Sequence, residues 1–305
     1  MALPNCCPLC RAGIALQSVV TTHVYGMKKS RAAFFHCESC DVRYQYPGLT
    51  PEEESRFYAA EFEGFMASRA GAMGGWQKSE DHVAANEATR IRRMAYLEPL
   101  LGRQSDLLEV GCSSGFMLYP LVEAGHKCTG VEPSGVFSEY VNQRGLPVYG
   151  SVDQLRESEP DSRFDVILHF FVLEHIAEPL AFLREQLELL KSGGKIIFEI
   201  PNAADPLYSI YDIPAFERFY WSVAHPWYFS EPSLKYLIER LGCSYDILRD
   251  QRYDLSNHMV WARDGRPGGM GRFSEAFGPE LDRGYKQALI KSGQCDTLVG
   301  IISKD

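Results

Sequence analysis

The stretch LLEVGCSSGF (residues 107–116), followed by KCTGVEPSG (127–135), decides the fold of this 305-residue chain. An apolar run of strand character gives way to a turn of small residues and a helix start, and a second apolar run ends on the carboxylate of Glu132. In an open parallel sheet that order brings Gly111 and Gly115 to where backbone presses against a ligand, and sets Glu132 at the tip of the neighbouring strand. A carboxylate there accepts hydrogen bonds from both hydroxyls of a ribose, which implies an adenosine-type cofactor.

The turn itself narrows the choice. A dinucleotide site uses G-x-G-x-x-G, whose second glycine lets a pyrophosphate lie against a helix N-terminus. Here Glu109 precedes the first glycine and Ser113 stands where the second would be. An acid at Glu109 repels a pyrophosphate but suits a cofactor that carries an ammonium and a sulfonium. The segment resembles motif I, (D/E)-x-G-x-G-x-G, of the class I S-adenosylmethionine-dependent methyltransferases, with Ser113 replacing the middle glycine.

Later blocks resemble the same family in the same order: a short strand and GSVDQL (150–155), FDVILHFFVLEHIAEP (164–179), and LKSGGKIIFEIPN (190–202). The resemblance covers roughly residues 86–305. It implies an α/β, Rossmann-like sheet of seven mostly parallel strands with an antiparallel last strand, closed by a hairpin. The helix expected at 86–101 packs Ile91, Met94, Ala95 and Leu97 beside the first strand. An apolar fraction of 45%, a charged fraction of 23% and the absence of a signal-like start or a membrane-length apolar run read as an ordinary cytoplasmic enzyme.

Nine cysteines with no export signal argue against a disulfide framework. Four form two C-x-x-C pairs, Cys7 with Cys10 and Cys37 with Cys40. Two residues between thiolates let one tight turn present both sulfurs to one metal, so two such turns make a zinc ribbon. VVTTHVYG (19–26) and RAAFFHC (31–37) supply a hairpin between them. Cys6 and His36 lie next to these ligands as alternatives. The ribbon spans 1–48 and a helical, aromatic linker 49–85, with its glycine-rich part a candidate lid. The catalytic domain spans 86–305, with an aromatic insertion at 201–231. Thr50 followed by Glu52–Glu54 predicts a helix start.

From the resemblance, Glu109, Gly111, Cys112, Ser113 and Gly115 surround the methionine part of S-adenosyl-L-methionine, and Glu132 and Pro133 the ribose. Ser151 and Val152 meet the adenine, and His169 and Phe170 line the sulfonium side. Three histidines compete for the base: His175, His169 and His225. His225 lies in AHPWYFS (224–230), which is similar to the E-H-x-x-Y-F-S stretch of methyltransferases acting on nucleotide-linked deoxysugars; Ala224 replaces the glutamate, and Tyr228 is a second catalytic candidate. Ubiquinone-type O-methyltransferases carry an E-x-x-E-H cluster at LEHIAEP (173–179). Phe171 stands where the first glutamate would be, so no catalytic divalent ion is expected.

These features point to methyl transfer onto a small molecule, a sugar, nucleotide-linked sugar or glycan precursor, with O-methylation favoured. An RNA methyltransferase is the competing reading, since a zinc ribbon also precedes this fold in some of those enzymes. A net charge of -9 argues against phosphate binding, although the first 46 residues are locally basic. A non-catalytic cofactor-binding protein is the third reading.

Overall fold

The computed structural model describes residues 2–27, 31–57, 64–65 and 79–305. Of the linker 49–85 offered as a possible lid, residues 58–63 and 66–78, including Tyr58, Phe62, Gly71, Gly74, Gly75 and Trp76, lie outside the described residues, as do Lys28 and Lys29.

Among the described residues eleven strands follow in chain order: β1 (Gln17–Thr21), β2 (Ala33–Cys37), β3 (Arg43–Tyr46), β4 (Asp106–Val110), β5 (Lys127–Val131), β6 (Val148–Tyr149), β7 (Phe164–Phe170), β8 (Leu190–Pro201), β9 (Trp227–Tyr228), β10 (Ser244–Asp250) and β11 (Thr297–Ser303). Seven make the large sheet, in the order β10-β11-β8-β7-β4-β5-β6. From β8 to β6 all neighbours are parallel, while β11, the last strand of the chain, runs antiparallel to both β8 and β10.

β4 lies inside the sheet, between β7 and β5, and is apolar on both faces, so it needs cover on both. Leu108 joins Ile167, Ile196 and Leu298 under the helices Pro179–Leu189 and Glu231–Glu239. Leu107 joins Val166, Leu168 and Ile197 under Leu97, Leu118 and Val141.

The helix expected at 86–101 forms over Glu87–Leu97 and ends in the 3-10 turn Glu98–Leu100. Its buried face differs from the expected one: Ile91 is exposed, and Arg93 is buried. The cause is Glu199 on β8, which accepts from Arg93 Nε at 2.8 Å and from Arg92 Nη1 at 2.5 Å. Burial alone would raise the Glu199 carboxyl, but the two guanidiniums hold it down at about 2. A charge partner on the sheet has overridden the apolar periodicity of the helix.

Between β10 and β11 the chain inserts the helices Leu255–Asp264 and Ser274–Ser292, the second kinked at Gly278 before Pro279. The closing strands are therefore paired as expected, but through a two-helix excursion. Ahead of the large sheet, Thr50 Oγ1 accepts from the Glu53 N–H and the Glu53 carboxylate accepts from the Thr50 N–H, the reciprocal cap that starts the helix Pro51–Arg56.

The first three strands form the hairpin-based sheet that carries the C-x-x-C turns, with Gln17 opposite Cys37 and Phe35 opposite Tyr44. A fourth strand completes that sheet, and it is β9 from the 201–231 insertion, pairing Tyr44 with Trp227 and Arg43 with Tyr228. Phe34, Tyr220, Trp221 and Tyr228 pack into one aromatic core across this junction. The N-terminal segment and the insertion are thus one folded layer. Among the described residues no helix is long and apolar enough to cross a membrane.

Candidate functional site

β4 ends in a turn whose backbone only small residues tolerate. Gly111 has φ +76°, and a Cβ there would sit 2.8 Å from Val172 Cγ2, so the position is closed to any side chain. Ser113, in place of the family's middle glycine, also has positive φ, at 48°. Its N–H donates to Glu132 Oε2 at 2.7 Å, and the Ser134 N–H donates to Oε1 at 2.8 Å. Glu132 therefore ties the β4 turn to the end of β5. Burial raises its carboxyl, and the two backbone donors oppose that rise. Cys112 is buried against Gly130, Gly115 has φ +74°, and Pro133 is exposed.

Glu109 is 2% exposed, and its Oε2 has no hydrogen-bond partner among the described residues. Burial pushes its carboxyl up to about 8, against the pull of the Arg93 guanidinium. Such an orphaned acid, two residues before a cradle that a Cβ would fill, fits a ligand that brings its own positive charge. S-adenosylmethionine is such a ligand, and Glu109, Gly111–Gly115 and Glu132 are the residues that would hold it.

The other cofactor candidates divide. Phe170 ends β7 with the Arg93 guanidinium 4.1 Å from its ring. His169 is fully buried in the opposite layer, opposite Val110, stacked on Phe198 at 4.8 Å and edge-on to Phe182 at 5.3 Å. Burial takes its pKa to about 3, and neither ring nitrogen has a hydrogen-bond partner among the described residues. Ser151 caps the helix Val152–Ser158 by accepting from the Gln154 N–H, and Val152 is the first residue of that helix.

His82 went unnoticed in the sequence because it falls in the stretch read as linker. Its Nδ1 lies 2.7 Å from Ser114 Oγ, and its ring faces Phe116 and Phe137. It sits directly over the β4 turn, and burial holds it neutral with a pKa of about 4. No spacing rule links it to residues 111–115.

On the far side of Gly111 the chain leaves β7 through Phe171, at φ +57°, into the 3-10 turn Leu173–His175. Glu174 is 1% exposed, and burial raises its carboxyl to about 8. The His175 and His225 rings stand perpendicular with centroids 4.5 Å apart. One ligand atom each from Glu174, His175 and His225 fall within 4.8 Å of one another, a grouping able to hold a metal ion. The expectation that Phe171 removes such a site considered only the local motif; His225 arrives from the insertion. Tyr228 is 1% exposed, with its hydroxyl donating to the Tyr220 carbonyl and accepting from the Ser222 N–H at 3.1 Å. Its hydroxyl holds the insertion together. Arg252 lies over Phe171, 4.1 Å from the ring.

The second metal-competent grouping is Cys7, Cys10, Cys37 and Cys40. The Sγ atoms of Cys7 and Cys40 are 3.8 Å apart and those of Cys10 and Cys37 3.5 Å. A tetrahedron with Zn–S bonds near 2.3 Å has edges of about 3.8 Å, so the four sulfurs fit zinc. Cys6 stays outside the group, and His36 is occupied by Asp41 at 2.8 Å.

A family model described as "Methyltransferase domain" matches residues 82–246. A ubiquinone biosynthesis O-methyltransferase of Maricaulis maris is 30% identical over 111 residues, 34% of this chain and 43% of that protein. Its counterpart in Cereibacter sphaeroides is 34% identical over 101 residues, 32% of this chain and 41% of that protein. The matches to these curated relatives thus span less than half of their length. Among solved structures, the plantazolicin methyltransferase BpumL in complex with SAH aligns with TM-score 0.50 and 13% identity over 83% of this chain and 94% of that one, a likeness of fold.

Proposed function

We propose that this chain, which belongs to the methyltransferase-domain family, transfers a methyl group from S-adenosylmethionine to an oxygen of a small-molecule acceptor. The observation that carries the reading is the buried, orphaned carboxylate of Glu109 beside the Gly111 turn. Methyl transfer is an in-line displacement on a carbon already activated by positive sulfur, so most of the rate gain comes from holding the nucleophile in place. A hydroxyl acceptor must also lose a proton. Acceptor activation depends on His225, with His175 beside it, whereas Tyr228 shapes the loop that carries them.

A sugar, nucleotide-linked sugar or glycan precursor is the acceptor class we favour. Its support is the likeness of the HPWYFS segment to sugar-modifying enzymes and the aromatic wall behind it. The four-cysteine layer binds zinc and holds that wall. Net charge of -9 weighs against an RNA acceptor. A methyl-transfer assay with labelled S-adenosylmethionine tests this, offering nucleotide-linked deoxysugars in parallel with structured RNA. Label in the sugar fraction is expected; label in RNA alone would overturn the small-molecule assignment.

A further inference from the structure

We propose that Glu174, His175 and His225 form a binding site for a divalent cation beside the acceptor, distinct from the four-cysteine site. The binding claim stands on geometry; its role in turnover rests on the methyl-transfer reading above.

Three observations converge. The three donors lie within 4.8 Å of one another, the spread a single ion can gather with small side-chain rotations. Glu174 is 1% exposed, and among the described residues neither carboxylate oxygen has a hydrogen-bond partner. An uncompensated carboxylate in the interior costs several kcal/mol, and a bound cation removes that cost. The nearby guanidinium of Arg252 is shared with Asp296, whose carboxylate lies 4.0 Å from its Nε.

Both halves of the site are held by backbone. His175 closes the 3-10 turn with its N–H on the Val172 carbonyl at 2.9 Å. His225 is anchored through its N–H to the Ser222 carbonyl at 3.1 Å, and the next residue, Pro226, accepts from the Gln45 N–H at 2.9 Å. The missing glutamate at Phe171 is thus replaced by a donor from a different element.

Two imidazoles and one carboxylate suit the borderline divalent ions, manganese through zinc. Both histidines are half-buried, and water or an acceptor oxygen would complete the coordination of an ion that the three donors hold. A hydroxyl bound there gives its proton to solvent more readily. Its oxygen then bonds the methyl carbon, and the carbon–sulfur electron pair leaves with sulfur as a neutral thioether.

The test uses the full chain with its cysteine site loaded with zinc, because thiolates hold zinc in preference to manganese. Titration with manganese(II) chloride, read from the loss of the free-ion paramagnetic resonance signal, is expected to show about one bound ion per chain. Glu174→Gln and His225→Ala should each weaken binding at least about tenfold, and His225→Asp should restore part of it. Affinity for S-adenosylhomocysteine, measured on the same samples, reports whether each variant is folded and tests the cofactor reading separately. No manganese uptake by the unmodified chain, or uptake unchanged in both removal variants, overturns the proposal.

Discussion

The two halves of the proposed site are built in opposite ways. The cofactor half comes from neighbouring segments: the β4 turn, the end of β5 and Phe170, locked by Glu132 accepting two backbone N–H groups from Ser113 and Ser134. The acceptor half is assembled from three separated stretches: the turn after β7, the insertion, and the N-terminal sheet that takes β9 as its fourth strand. A site made of contiguous backbone survives damage elsewhere, whereas an assembled one is only as stable as its most distant support. The N-terminal layer therefore bears on the acceptor side and hardly on the cofactor.

The largest expected effect follows from removing that support. Cys37→Ser, or treatment with a chelator, removes the proposed zinc, a metal whose binding is worth on the order of 10 kcal/mol to a small domain. The first sheet and the Trp227–Tyr228 strand should then lose order, read as increased amide exchange in residues 17–46 and 221–230. Affinity for S-adenosylhomocysteine should stay within about threefold, because the β4 core is independent. A parallel collapse of cofactor binding would show that the two halves are one unit.

A smaller and more local effect is expected at His225. Exchange to alanine should lower turnover by at least about a hundredfold with cofactor affinity unchanged. Unchanged turnover would remove His225 from acceptor activation and leave His175 as the remaining histidine of that half.

The same asymmetry explains what the sequence revealed. The β4 turn was legible because it is written in adjacent residues, LLEVG for a doubly buried strand and Gly111 for a position that admits no Cβ, and parallel order followed from alternating strands and helices; the antiparallel last strand came from the family resemblance. Ser113 was legible too, as a departure from the motif whose N–H still reaches Glu132. His82 was not, since its link to Ser114 depends on how a preceding helix lies across the turn. Arg93 was hidden for a similar reason: its partner Glu199 belongs to β8, and helical periodicity favoured Ile91 instead. His169 illustrates strand alternation, where one position decides between a pocket and the opposite core layer. The meeting of His225 with Glu174 and His175 depends on β9 docking against β3, a contact between distant segments that no spacing records.

The central claim, that Glu109 and the Gly111 turn hold a cationic adenosyl cofactor, is tested most directly by calorimetric titration with S-adenosylmethionine at pH 6 and pH 8, in buffers of different ionisation enthalpy. With its carboxyl at about 8 before binding, Glu109 is mostly neutral at pH 6 and must ionise to meet the cofactor. One-to-one binding is predicted, with up to about one proton released at pH 6 and tighter binding at pH 8, and with the Glu109 share of that release lost in Glu109→Gln. Absence of binding by S-adenosylmethionine at either pH would contradict the account.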